Sequence, residues 1–149
     1  MVKASFQHAT LGKLTRGTSG WDFTFPLARG RLGQGTICTV APGPRPPAES
    51  LEALQGYLAW FRRNETRLRG HIANKMFAGW RSGWYDPEID HTTTALGFQR
   101  KIGLAGINFY WDERWVSLVY NDGGLFGGHA ITLSTDLVGK IDRGPTMFG

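Results

Sequence analysis

Cysteine is nearly absent from this chain. The one thiol, Cys38, cannot form an internal disulfide, and it sits in the apolar run "TICTV", as a small buried hydrophobe would. No stretch of eighteen apolar residues occurs, so no membrane-spanning helix is expected. The opening "MVKASFQHATLGK" lacks an apolar core of signal-peptide length, so no Sec export and a cytoplasmic location are expected. The four histidines, His8, His71, His91 and His129, form no pair at i, i+2 or i, i+4. With a single cysteine besides, no metal site and no cofactor are expected.

Acidic residues are also scarce, 12 against 17 Lys and Arg. The deficit is local. Residues 1–47 contain one acid, Asp22, against Lys3, Lys13, Arg16, Arg29, Arg31 and Arg45, while the rest of the chain is balanced. A basic face would suit nucleic acid or an acidic protein. Charges this widely spaced fit a solvated surface better.

What the chain has in excess is glycine, 21 residues, about twice ordinary usage. Nineteen aromatics accompany them. Together they indicate a β-rich single domain, residues 1–149, with many tight turns. Residues 5–14 form a first candidate strand. "WDFTFPLA" (21–28) alternates Trp21, Phe23 and Phe25 with Asp22 and Thr24, the period of a half-buried strand. "RGRLGQG" reads as a turn, and "TICTVAP" (36–42) as a third strand.

The proline-rich "PGPRPPAES" forbids helix and ladder alike, and a helical pair is expected after it, at residues 48–82. Glu49 and Glu52 lie in its first turns. Leu51, Leu54, Leu58 and Phe61 share one face, and Arg62 and Arg63 close the last turn as the helix dipole favours. Asn64 is a suitable N-cap for a second helix over 65–80, whose face is Leu68, Ile72 and Met76. Residues 86–96 read as loop, and 95–102 as strand or short helix. Four short strands follow at 106–111, 114–120, 129–135 and 139–144, joined by tight turns. The expected fold is α+β: an antiparallel sheet of three N-terminal strands and a C-terminal meander of about four, with the helical pair on one face.

Three stretches invite a functional reading. "NDGGLFGGHAITLS" (121–134) has the glycines of a phosphate loop. A strand follows it, however, with neither Lys-Ser/Thr nor a helix, so hairpin chemistry is expected instead. "YWDERW" (110–115) sets Asp112 and Glu113 between aromatics, as sugar-handling sites do, but neighbours in a two-residue turn point different ways. "RRNETRLRG" (62–70) clusters arginines, for which a solvated helix surface is the simpler account. The aromatics are the best lead. Trp80, Arg81, Trp84 and Tyr85 lie in a glycine-broken segment, and Trp111, Asp112, Glu113 and Trp115 around a turn. Trp, Tyr and Arg dominate interface hot spots; rings that cap the core are the alternative reading, and the commoner one for Trp.

One set of motifs also carries a resemblance. It comprises Trp21 and Phe23; Leu51, Leu54, Asn64, Glu65, Leu68, Arg69 and Ile72; Leu118 to Tyr120, Asp122, Gly123 and Leu125 to His129; and Ile131, Asp136 and Gly139 to Ile141. In these the chain resembles small bacterial domains of unknown function found near polymorphic-toxin and immunity loci. The resemblance implies a small cytoplasmic α+β protein that binds another protein, such as a toxin that it neutralises. The expectation built on it is a non-enzymatic inhibitor that acts by occlusion. Two alternatives stand beside that expectation: a basic nucleic-acid-binding module, and an enzyme that would gather His129, Asp112 and Glu113 in one pocket.

Overall fold

In a computed structural model, which describes residues 3–40 and 43–148, the chain is an α+β protein with one mixed sheet. Eight strands lie side by side in chain order: β1 (Ser5–His8), β2 (Gly12–Arg16), β3 (Gly20–Pro26), β4 (Leu32–Cys38), β5 (Gly103–Tyr110), β6 (Trp115–Asn121), β7 (Ala130–Asp136) and β8 (Ile141–Phe148). Every neighbouring pair is antiparallel except β4 and β5, which run parallel over Gly35–Cys38 and Ile107–Tyr110. The helical segment between them, α1 (Ala48–Gly83), α2 (Pro87–Asp90) and α3 (Ala95–Lys101), makes that crossover. Two four-stranded meanders are thus joined at one parallel seam.

Several expectations need correction. The first strand, 5–14, is a hairpin: His8 Nδ1 accepts the amides of Thr10 (3.1 Å) and Leu11 (3.0 Å), and the chain reverses before Gly12. The third strand begins four residues earlier than 36–42 and ends at Cys38; positions 41 and 42 of that expectation lie outside the described residues. Glycines had made 33–35 look like a turn. They are glycines because aromatic rings from β3 lie across them: a Cβ on Gly35 would stand 2.3 Å from Phe23 Cζ, and one on Gly33 2.3 Å from Phe25 Cζ.

The expected helical pair is one unbroken helix of 36 residues, about 54 Å long. Asn64 does not cap a new helix. Its Nδ2 donates back to Trp60 O at 2.8 Å, its Oδ1 accepts from Arg67 Nε at 3.1 Å, and the backbone continues as helix. Residues 86–96 are not all loop. Asp86 caps α2 by accepting from Glu88 N at 3.0 Å, and Thr94 caps α3 by accepting from Gly97 N at 3.1 Å.

The helices cover one face of the sheet. Leu51, Leu54, Leu58, Phe61, Leu68 and Ile72 are buried against Trp21, Phe23, Ile37, Ile107, Phe109 and Leu118. Edge-to-face rings lock the layers together: Tyr57 on Phe109 (5.9 Å, 71°) and Phe61 on Phe25 (6.4 Å, 86°). Among the described residues, no helix covers the opposite face. Along one register line it presents Thr15, Asp22, Thr36, Asn108, Ser117, Ser134 and Arg143, one from each of seven consecutive strands.

Candidate functional site

The glycine-rich stretch is built around Asp122. This aspartate is only 4% exposed. Its Oδ1 accepts from Gly124 N (2.9 Å), and its Oδ2 accepts from Phe126 N (3.0 Å) and Gly128 N (2.9 Å). Burial alone would raise the carboxyl. The amides of Gly124, Phe126, Gly128 and His129 outweigh it and hold the group below the usual carboxylate range. The backbone therefore does form an anion-binding nest, and the chain's own carboxylate occupies it. A phosphate would meet the same amides already engaged, and a negative charge with them. Gly123 has φ 60, and a Cβ there would stand 2.2 Å from Lys101 O, so only glycine passes this point.

The loop's apolar residues point inward. Leu125 and Phe126 are buried, and the indole Nε1 of Trp80 donates to Leu125 O at 2.9 Å. Trp80 is fully buried, so among the aromatic candidates it belongs to the core and supports the surface from beneath. One turn later Trp84 emerges, 44% exposed. It stands edge-on to Phe126 (5.6 Å, 77°) and to the His129 ring (5.6 Å, 69°). His129 Nδ1 donates to Phe126 O, which fixes that ring. Arg81 lies 5.4 Å from the centre of the Tyr85 ring, and Tyr85 packs edge-on against Trp80 (5.9 Å, 86°). Arg81, Trp84 and Tyr85 thus form one rim where α1 ends on the glycine loop.

Trp111, Asp112, Glu113 and Trp115 lie at the other end of the sheet. The turn between β5 and β6 has four residues rather than two, with Arg114 in the left-handed region at φ 64. That conformation lays the guanidinium 3.8 Å from the centre of the Trp111 ring. Trp111 also runs parallel to Phe109 (6.4 Å, 10°), and Trp115 stacks on Tyr110 at 4.3 Å. Asp112 Oδ2 accepts from Val40 N at 2.7 Å, pinning the turn to the end of β4. Glu113 is exposed beside Arg114, on a groove reaching Lys140 and Arg143. Asp112 is engaged by Val40 N, and His129 lies at the opposite end of the sheet from Asp112 and Glu113. The pocket required of an enzyme built on those three is not formed.

Cys38 is half-buried next to Tyr110. Burial pushes its thiol up first, and the charges of Glu113 and Asp22 add to that, so it stays protonated at neutral pH. Among the described residues, no three His, Cys, Asp or Glu side chains are placed to hold a metal ion. The basic N-terminal residues do not share one face either. Lys13 lies on the open sheet face, Arg16 at the β2–β3 end, and Arg29 and Arg31 beyond the opposite end of β3. No helix is long and apolar enough to cross a membrane among the described residues.

Sequence reasoning missed two surfaces, the polar row on the open sheet face and a charged stripe along α1. The first requires the parallel seam, and the second requires α1 to be continuous.

The fold and rim define an α+β chain with one helix-covered and one open sheet face. Comparison with protein-family models, with curated proteins and with solved structures finds no match.

Proposed function

We propose that this chain is a non-enzymatic binding protein of the immunity or inhibitor type, which occludes a protein partner with the rim where α1 meets the glycine loop. The observation that carries this reading is Trp84. It is a large ring left 44% exposed, yet held by Phe126 and His129 so that binding costs little ordering. Arg81 and Tyr85 stand beside it, the residue types that dominate hot spots. The exposed part of an indole is on the order of 100 Å². Covering it contributes at most about 2.5 kcal/mol, about 60-fold in affinity before ordering and desolvation costs.

The test is co-expression with the product of the neighbouring gene, followed by affinity measurement with the purified pair. Trp84→Ala should weaken binding by at least about tenfold at a temperature where circular dichroism shows the variant still folded, whereas Trp115→Ala should leave binding in place. A partner that binds wild type and Trp84→Ala equally would sink the rim assignment. A neighbour that does not bind at all, and is not neutralised in a growth assay, would sink the inhibitor reading.

A further inference from the structure

The arginines in the middle of α1 have lost the explanation that two helices would have given them. At a helix C-terminus, Arg62 and Arg63 would have met the dipole. In one continuous helix they lie near its midpoint, where the dipole offers nothing because the effect is confined to the end turns. Arg69 is accounted for: it pairs with Glu65 (2.6 Å) and donates to Gln99 O of α3. Arg62 and Arg63 are exposed and share no ion pair with a carboxylate among the described residues, and neither do Arg67 and Arg81. From position 62 to 83 there are six Lys or Arg and one acid, Glu65, already engaged by Arg69.

Position on the helix sharpens this. Arg63, Arg67, Asn74 and Arg81 are separated by four, seven and seven residues, which keeps them within about 40° of one line and spreads them over about 27 Å. All four are exposed. Glu49 and Glu52 fall on the same line at the start of the helix, and Asp86, Glu88 and Asp90 cluster around α2 just past its end. On α1 the outward stripe is therefore acidic at its start and basic from Arg63 to Arg81.

We propose that this basic segment is a docking surface for an acidic helix or acidic surface of a protein partner. The proposal rests on the protein-binding reading above and names the chemistry of the partner. A bounded patch favours protein over nucleic acid. A phosphate backbone running along the helix would meet Glu49 and Glu52 at its start, and three arginines spread over about 27 Å neutralise few phosphates. A compact acidic element of about 20 residues, some 30 Å when helical, matches the basic stretch and stops before the acids. Arg81 belongs to both the stripe and the Trp84 rim, so one partner covers both.

The probe is a Glu-rich helical peptide of about 20 residues, titrated against the full chain at low and at physiological salt. Arg63→Glu/Arg67→Glu should weaken its binding by at least about tenfold at low salt. The control is Arg29→Glu/Arg31→Glu, which changes net charge equally but far from the stripe, and it should cost less than about threefold. Equal losses in the two variants would show that only net charge matters and would overturn the proposal, as would failure of the wild type to bind the peptide. Tighter binding of a duplex DNA of similar length, with the same dependence on Arg63 and Arg67, would overturn it in favour of nucleic acid. Arg63→Gln/Arg67→Gln repeats the test if the reversed charges disturb folding. Trp84→Ala should leave peptide binding intact. Loss of the rim assignment and loss of the stripe assignment are thus read on different variants.

Discussion

Removing the Asp122 carboxylate should be the most informative single change in this fold. In Asp122→Ala, three backbone amides lose their acceptor together. Phe126 N lies in the buried part of the loop, and an orphaned buried donor costs about 1–3 kcal/mol. Gly124 and Gly128 are exposed, water replaces part of their bonds, and each loses about 0.5–1 kcal/mol. The sum is about 3 kcal/mol, or a fall of about 6–12 °C in melting temperature for a chain of this size. Asp122→Asn keeps the shape, but its amide nitrogen must face an N–H, so about half the loss should remain. The acid limb gives a second readout. The native carboxyl is held below its unfolded value near 4, so its contribution is complete above that pH and is lost as pH falls through the native value. Urea denaturation across acidic pH should therefore show a steeper fall for wild type than for Asp122→Asn. Parallel acid limbs, or an Asp122→Ala variant within about 0.5 kcal/mol of wild type, would refute the account of the loop.

Two further expectations concern the interior. Thr135 Oγ1 donates to Asp136 O (2.8 Å), so Tyr57 is the donor in its 2.8 Å contact with Thr135. Tyr57→Phe then orphans one lone pair and should cost only about 1 kcal/mol by thermal denaturation. Burial also pushes the Tyr57 phenol well above its ordinary value, with the Thr135 contact opposing and Asp136 adding. It supports stability below pH about 10, where unfolded tyrosine stays neutral, and this contribution is lost as pH rises beyond that. Tyr57→Phe should flatten the alkaline limb, and unchanged alkaline curvature would contradict the assignment. Gly35→Ala places a methyl 2.3 Å from Phe23 Cζ in a ring already buried. It should destabilise by about 1–3 kcal/mol in a denaturant titration, and a neutral result would mean the β3–β4 packing is looser than described.

The α+β class and the order of strands, helix and strands were legible because period-two runs such as "WDFTF" and "AITLS" and the Leu51-Leu54-Leu58-Phe61 face are local signals. What failed was nonlocal. Gly33 and Gly35 looked like breakers because the rings that require them come from another strand. Asn64 looked like a cap because its back-bond to Trp60 O exists only if the helix continues. The β4–β5 pairing joins positions about 70 residues apart and leaves no periodic trace in either strand. The candidate site was half legible. Aromatic and arginine content marked both ends of the sheet, but only the coordinates separate the buried Trp80 from the exposed Trp84, and place the Asp112 turn far from His129. The arginine stripe was hidden by the helix break that is not there.

The parallel seam has a consequence for how the molecule assembles. Each meander is a chain of adjacent hairpins, and its contacts close over short loops. The seam pairs four positions on each strand, and it closes only after a loop of about 70 residues is brought back by α1. The two halves can thus gain structure independently, and their union waits on the helix. An α1 that lies across both meanders acts as the clasp between two half-sheets. Because Phe61 packs on β3 and Tyr57 on β5, β4 and β5 cannot part unless α1 first leaves one half.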